Sequence, residues 1–287
     1  MAHTVRQYSS LDEFLVDAGS FLEAREAEHN LMFGISSAIR ATPEVFADDP
    51  PRFATVTDAS GRVVAATLRT PPHNQILSAI DDPAAVDALV EALRDEPLPG
   101  VLGPTEAAAR FAVGWTEATG LTAHIEIAER IFRLERVIPP DRPAPGGWRL
   151  AEPRDRDLIM RWLVDFTAEA LPEDMPLPDP AGTTDRWIAR RGRVAYLWED
   201  GSEVVSFVGA GGETPHGIRI GPVYTPPDLR RRGYATALTA AASADQLEQG
   251  RQFCFLFTDL ANPTSNRIYA AIGYQPVIDV DQYRFRA

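Results

Sequence analysis

Val223-Tyr-Thr-Pro-Pro-Asp-Leu-Arg-Arg-Arg-Gly233-Tyr-Ala-Thr-Ala-Leu-Thr-Ala240 is the stretch of sequence that decides the fold. It begins at the end of an apolar segment, which the two prolines terminate because neither has an N–H for a β-ladder. Three arginines and a glycine follow. The residues from Ala235 onward favour helix, with no Gly or Pro before Gly250. The stretch therefore predicts a strand, a tight basic loop and a helix.

The predicted loop has the chemistry of a diphosphate site. A helix N-terminus presents N–H groups that lack intrahelical acceptors, together with the positive end of the helix dipole. Small residues in the loop let a ligand oxygen approach the main chain. An exposed basic turn is the alternative interpretation. If a diphosphate binds here, we expect main-chain N–H groups to hold it, with support from the arginines; the candidate residues are Arg230, Arg231, Arg232, Gly233, Tyr234, Ala235 and Thr236.

A second pattern lies downstream: Asn262-Pro-Thr-Ser-Asn-Arg-Ile-Tyr-Ala-Ala-Ile-Gly273-Tyr. It follows the apolar run 253–257, which predicts a buried strand. Asn262 and the proline after it predict a turn, and Ser265 is a candidate helix cap. Gly273 is expected to end the helix. The pattern thus predicts a second strand, turn and helix.

Together the two patterns resemble those of the GCN5-related N-acetyltransferase (GNAT) family. Arg230-x-x-Gly233-x-Ala235 is similar to the family signature Arg/Gln-x-x-Gly-x-Gly/Ala, and the pattern from Asn262 is similar to the other half of its acetyl-CoA site. The resemblance covers about the C-terminal half of the chain. It implies an α/β (α+β) fold with a mixed, mostly antiparallel central sheet flanked by helices. It also implies transfer of an acetyl group from acetyl-CoA to a primary amine.

The resemblance further implies roles for individual residues. The pantetheine arm of acetyl-CoA is expected to pair with the main chain at the strand end, and an N–H there is expected to polarise the thioester carbonyl. Tyr269 matches the tyrosine that protonates the leaving thiolate in many relatives, although aromatic packing against the strand is an alternative role. The expected cofactor contacts outside the loop are Val223, Tyr224, Thr225, Asn262 and Asn266.

The sequence does not single out a general base. Glu169, Glu173 and Asp174 are candidates because they follow the first helix of the C-terminal half, but solvated loop charges are the simpler interpretation. His216 falls in a predicted turn, which favours a structural role. No histidine pairs with Cys254 at a metal-ligand spacing, so no metal is predicted.

The two halves of the chain repeat one order of elements. Asp58-Ala-Ser-Gly-Arg-Val-Val precedes Thr70-Pro-Pro-His, and Asp200-Gly-Ser-Glu-Val-Val precedes Thr214-Pro-His. The order predicts two copies of one GNAT-like unit, and chance similarity between hairpins is the alternative. The predicted segments are a degenerate copy at 1–137, a proline-rich linker at 138–147 and a catalytic copy at 148–287.

The two copies are not expected to be equivalent. Where the second half carries the arginine loop, the first carries Asp81-Asp82-Pro83. Two carboxylates there would repel a diphosphate. We therefore predict one cofactor site, in the second half, and a structural or substrate-shaping role for the first.

Two segments of the first half carry weaker patterns. Residues 4–48 are expected to be helical, with a capping box formed by Ser10 and Glu13. Residues 124–137 are expected to form one strand or two.

Composition and charge narrow the class of protein. The chain has 287 residues, enough for two domains of ordinary size. Its net charge of −13 disfavours nucleic-acid binding and suits a cationic amine substrate. No apolar run is long enough to span a bilayer, the N-terminus lacks a signal-peptide core, and there is one cysteine. These features predict a cytoplasmic protein without a membrane partner.

Two classes of function stay open. One is an acetyl-CoA-dependent N-acetyltransferase that acts on a small-molecule or peptide amine by direct transfer. The other is a non-catalytic acyl-CoA-binding sensor or scaffold. Tyr269 favours the enzyme, because a binder has no use for an acid beside the thiol. The sequence does not identify the acceptor, the length of the acyl donor or the oligomeric state, and a monomer is compatible with two halves that cover each other's sheet edges.

Overall fold

The computed structural model describes residues 3–170 and 179–287, which fall into two units. The first unit comprises Met1–Ile131, Asp259–Ala261 and Val277–Ala287. The second comprises Phe132–Thr258 and Asn262–Pro276. The sequence predicted two contiguous domains, whereas in the structure the end of the chain belongs to the first unit. No helix in the described ranges has both the length and the apolar character needed to cross a membrane.

The predicted fold class, a mixed and mostly antiparallel sheet with flanking helices, is confirmed. The strands are β1 (Thr4–Tyr8), β2 (Arg52–Thr57), β3 (Val63–Arg69), β4 (Gln75–Leu77), β5 (Gly100–Pro104), β6 (Thr122–Leu134), β7 (Gly147–Leu150), β8 (Arg193–Asp200), β9 (Glu203–Glu213), β10 (Gly217–Tyr224), β11 (Phe253–Asp259) and β12 (Gln275–Arg286). The helices are α1 (Leu11–Glu23), α2 (Asn30–Ala41), α3 (Pro83–Leu93), α4 (Thr105–Thr119), α5 (Arg156–Ala170), α6 (Pro180–Ile188), α7 (Tyr234–Glu248) and α8 (Pro263–Ala271). Short 3₁₀ helices lie at Pro43–Phe46, Pro153–Asp155 and Pro227–Leu229.

The N-terminal segment differs from the prediction at its start. Residues 4–48 were expected to be helical, but Thr4–Tyr8 forms β1 and pairs antiparallel with β2. The β-branched and aromatic residues of this short segment favour an edge strand. The helix begins at Leu11, where the Ser10 hydroxyl accepts a hydrogen bond of 3.1 Å from the Glu13 N–H. This is one half of the predicted capping box; the Glu13 side chain makes no return bond to the Ser10 N–H in the part of the chain that the structure describes. Further along, β6 is one continuous strand rather than two.

The last strand of the chain lies inside the sheet of the first unit. The strand order there is β1-β2-β3-β4-β5-β12-β6. β12 pairs antiparallel with β5 from Val280↔Pro104 to Arg284↔Gly100. Its Phe285 ring stacks on Trp115 of α4, with ring centroids 5.7 Å apart. A strand remote in sequence therefore completes this sheet and part of its core.

Within the second unit the strand order is β11-β10-β9-β8-β7, in which β10 and β11 are parallel and the other neighbouring pairs are antiparallel. Side chains alternate between the two faces of each strand. Tyr196 and Trp198 of β8 belong to the apolar cluster that includes α7 and α8. Ala195 and Leu197 belong to the cluster that includes α5 and α6. The sheet is therefore covered on both faces by helices.

The proline-rich segment 138–147, predicted as a linker, is bonded along the second unit. The Ile138 N–H donates to the Ile272 carbonyl at 2.9 Å. The Trp198 indole N–H donates to the Pro145 carbonyl at 2.7 Å. These bonds fix the segment beside the loop that precedes α7, where Ala144 lies.

Candidate active site

β10 and β11 are the two parallel strands of the second unit, and they separate from each other in the middle of its sheet. In the described part of the chain, β10 and β11 pair at three positions only: Gly217↔Phe253, Ile218↔Cys254 and Arg219↔Phe255. Beyond them β10 continues to Tyr224. Its register with β9 is irregular between Ile220 and Val223, and Pro222 in this interval has no N–H to donate. The parting leaves a main-chain edge on β10 that an extended ligand can pair with.

The loop after β10 ends at an open helix N-terminus. Gly233 precedes α7 with a φ of 88°, a left-handed conformation that glycine adopts without a steric penalty, and no side chain caps the helix. The first bond of the helix runs from the Ala237 N–H to the Gly233 carbonyl at 2.9 Å. The N–H groups of Tyr234, Ala235 and Thr236 precede that bond and lack helical acceptors. A Cβ at position 233 would meet only Ala144, at 3.8 Å. The space and the donors both fit a diphosphate.

The three loop arginines differ in their surroundings. The Arg230 Nε donates to the Thr225 carbonyl at 2.8 Å, and its terminal nitrogen contacts the Glu169 carboxylate at 2.5 Å. Arg230 therefore holds the loop to α5. Arg231 is exposed and has a φ of 65°. Arg232 is exposed and makes a long bond of 3.3 Å to the Asp228 carbonyl. The last two are better placed than Arg230 to add charge near an anion.

At the end of β10 two carbonyl oxygens already accept hydrogen bonds from side chains. The Ser206 hydroxyl donates to the Tyr224 carbonyl at 3.1 Å and lies 2.8 Å from the Thr225 hydroxyl. The Thr225 carbonyl accepts from Arg230. These bonds fix the strand end where the cofactor arm was predicted to pair. Ser206 was missed by the sequence reasoning, although a lone hydroxyl in the apolar run Val204–Val208 was a visible signal.

The helix after β11 is capped differently from the prediction. The sequence named Ser265 as the candidate cap, but Asn262 caps α8, and its side-chain oxygen accepts from the Ser265 N–H at 3.1 Å. The proline that follows Asn262 suits the first helical position, which places the cap one residue before it. The Asn266 amide donates to the Asn262 carbonyl at 2.9 Å. Both asparagines thus order the start of this helix.

Tyr269 lies in the apolar cluster of the second unit. Its side chain is 9% exposed, and its ring meets the ring of Tyr274 edge-on, with centroids 6.1 Å apart. Burial raises the pKa of Tyr269 to about 12. Both roles that the sequence left open are therefore compatible with the geometry, because the ring packs and the phenol stays protonated over the physiological pH range.

The candidate bases are not brought together. Glu169 is exposed and engaged with Arg230. Glu173 and Asp174 lie outside the described residues. The main-chain carbonyl of His216 accepts from the Gln252 N–H at 2.8 Å in a turn. Cys254 is buried, and burial raises the pKa of its thiol to about 12, so it is a packing residue rather than a nucleophile.

In the corresponding loop of the first unit, carboxylates of the protein itself accept hydrogen bonds at the helix start and pair with basic side chains. The Asp82 side chain caps α3 by accepting from the Ala84 N–H at 3.0 Å. It also contacts the His3 ring at 2.9 Å. Asp81 pairs with Arg25 at 2.8 Å. A protein carboxylate therefore occupies the helix start where the second unit leaves open donors.

Comparison with known proteins agrees with this geometry. Residues 157–274 match the family model described as the acetyltransferase (GNAT) family. A Drosophila protein of known structure aligns with a TM-score of 0.68 and 16% identity over 99% of both chains. A GNAT-family acetyltransferase from Colwellia psychrerythraea aligns with a TM-score of 0.58 and 11% identity over 99% of this chain and 100% of its own.

A tandem protein is also among the similar structures. A tandem GNAT protein from the clavulanic acid biosynthesis pathway aligns with a TM-score of 0.55 and 14% identity over 99% of this chain and 98% of its own. At these identities the likeness concerns the fold alone. A search of curated proteins found no match.

Proposed function

We propose that this chain, whose residues 157–274 match the GNAT acetyltransferase family model, moves an acetyl group from acetyl-CoA to a primary amine by direct transfer. The observation that carries the proposal is the parting of β10 and β11 next to the uncapped N-terminus of α7. The free edge of β10 offers main-chain groups to the extended arm of acetyl-CoA, and the N-terminus of α7 offers N–H donors to its diphosphate. We propose a small-molecule or peptide acceptor, and no nucleic-acid or membrane partner. A cytoplasmic location stays a prediction from the sequence.

In the proposed site each element has a separate task. Acetyl-CoA supplies the acetyl group as a thioester. The N–H groups from Arg231 to Thr236 hold its diphosphate, and the main chain of Val223 to Thr225 positions its arm. An N–H of Val223 or Tyr224 polarises the thioester carbonyl as negative charge develops on the oxygen. Asn262 and Asn266 act through the start of α8, which they order.

The proposed reaction exchanges one bond for another. The neutral amine forms a C–N bond with the carbonyl carbon, the C–S bond breaks, and the amine proton leaves to solvent. The departing thiolate takes a proton from the Tyr269 phenol, which is later restored from water. Because Glu169 is paired with Arg230, we assign it no role as base.

Calorimetric titration with acetyl-CoA tests the proposal directly. We expect a dissociation constant on the order of micromolar, corresponding to about −8 kcal/mol, and release of free thiol once an accepted amine is added. Failure to bind acetyl-CoA or any longer acyl-CoA would contradict both the enzyme and the alternative acyl-CoA sensor. Binding without turnover of any amine would favour the sensor.

Replacing Tyr269 with phenylalanine is expected to lower kcat by about 100-fold while leaving the affinity for acetyl-CoA unchanged. The reason is that the thiolate then lacks a proton donor, whereas the ring still packs in the cluster. Because burial raises the pKa of Tyr269 to about 12, the phenol is protonated below that pH. We therefore expect no fall in wild-type kcat from Tyr269 below about pH 11. Steady-state kinetics across pH provide the measurement.

Tyr274→Phe is the matched control. Tyr274 is fully buried beside Tyr269, and its hydroxyl lies 2.8 Å from the Ser243 hydroxyl. Removing this hydroxyl is expected to cost about 1 kcal/mol of stability and to leave kcat unchanged. An unchanged kcat in Tyr269→Phe, or an equal loss in both variants, would exclude Tyr269 as the acid.

A further inference from the structure

Arg193 is a half-buried arginine without an ion-pair or hydrogen-bond partner among the described residues. It begins β8, on the face that carries Ala195 and Leu197, which pack with α5 and α6. Burial lowers the pKa of its guanidinium to about 10, and the like charges of Arg186 and Arg219 contribute to this shift. The group still carries its charge at neutral pH. A buried charge without a counter-ion is costly, so it is expected to meet an anion in the working protein.

The neighbouring strand, β9, carries glycines in place of larger side chains on the same face. Arg193 lies opposite Gly211 of β9, where a Cβ would sit 3.4 Å from the Arg193 Cβ. Two residues along β9, a Cβ at Gly209 would overlap the ring of Trp187 from α6 at 1.5 Å. Trp187 is 4% exposed, and its indole N–H has no acceptor among the described residues. A guanidinium and an indole donor thus share one face, and neither has an acceptor there.

This face lies near the predicted transfer point. Arg193 pairs with Gly211, and Val223, whose N–H is a candidate to polarise the thioester, pairs with Val208. Arg193 and Val223 are therefore offset by three residues along β9 and by two strand spacings across the sheet. Their Cα atoms lie about 14 Å apart. An extended arginine side chain covers about half of that distance. A compact acceptor can bridge the remainder.

We infer that Arg193 binds a carboxylate of the acceptor, so that the acceptor is an amine that also carries a free carboxylate, such as an amino acid or a short peptide. This inference rests on the proposed acetyl transfer. It names the substrate class for the same site. A planar carboxylate matches the two-pronged geometry of a guanidinium.

The test is acetylation of matched acceptors by the full chain. Glycine, β-alanine, γ-aminobutyrate and glycylglycine are each compared with the corresponding carboxamide, in the wild type, Arg193→Gln and Arg193→Lys. We expect the wild type to favour an acid over its amide by 10- to 100-fold in kcat/KM, on the order expected for a charge-assisted hydrogen bond. Arg193→Gln should remove that preference through KM, and Arg193→Lys should restore part of it.

Two further measurements separate this role from a structural one. Arg191→Gln removes the same charge at an exposed position two residues earlier and should leave the preference unchanged. Arg193→Gln should keep the wild-type Tm, because no described residue loses a bond. A lower Tm with an equal loss for acids and amides would show that Arg193 pairs with a carboxylate of the protein, and would contradict the inference.

The remaining outcomes are also decisive. Transfer to neutral or cationic amines without any preference for acids would overturn the inference and leave the proposed function standing. Absence of acetyl-CoA binding by calorimetry would overturn the proposed function itself. Binding of acetyl-CoA without transfer to any amine would contradict both the transfer activity and the acceptor assigned here.

Discussion

Replacing Gly233 with glutamate is expected to weaken acetyl-CoA binding by at least about 100-fold, or about 2.8 kcal/mol. The new carboxylate would stand at the uncapped N-terminus of α7, where the open N–H groups are proposed to receive the diphosphate. It would compete for those donors and repel the ligand's negative charge. Calorimetric titration of the variant with acetyl-CoA gives the loss directly.

Gly250→Glu is the control at the opposite end of the same helix. Gly250 also has a positive φ, 97° against 88° at Gly233, and a Cβ there meets nothing within 4 Å. Both variants therefore carry a similar backbone strain of about 1–2 kcal/mol and the same added charge. We expect Gly250→Glu to lose stability and to keep its affinity for acetyl-CoA. Equal weakening in the two variants, or unchanged binding in Gly233→Glu, would argue against a diphosphate site at this loop.

Phe285→Ala is expected to destabilise the first unit by about 3–5 kcal/mol, although the residue stands at the end of the chain. Phe285 is 7% exposed in β12 and stacks on Trp115 in the core beneath α4. Removing the ring leaves a cavity that rigid neighbours fill only in part. Native-state hydrogen exchange should show reduced protection in β5 and α4, because β12 pairs with β5.

Gln275→Ala provides the comparison within the same strand. Gln275 is exposed at the start of β12, so its replacement should change the free energy of unfolding by no more than about 0.5 kcal/mol. A change below about 1 kcal/mol for Phe285→Ala, or lost protection confined to the second unit, would show that β12 contributes little to the first.

The sequence by itself determined the local parts of the site. The prolines after Tyr224 end β10, Gly233 precedes α7, and Gly273 follows α8, as their residue types predict. These signals act within a few residues, because a missing N–H, a positive φ or a helix period is a property of the local chain. Even there the choice between Asn262 and Ser265 as the cap depended on where the proline fits.

The tertiary structure alone decided which distant segments meet. Three features depend on pairings between residues far apart in sequence. These are the separation of β10 from β11, the insertion of β12 beside β5, and the glycines of β9 that lie opposite Arg193. Strand pairing carries no local signature of its partner, because any extended segment offers the same main-chain donors and acceptors. The register of each strand pair is selected by the packing of one face of the sheet against the core. This packing forms only when the chain folds.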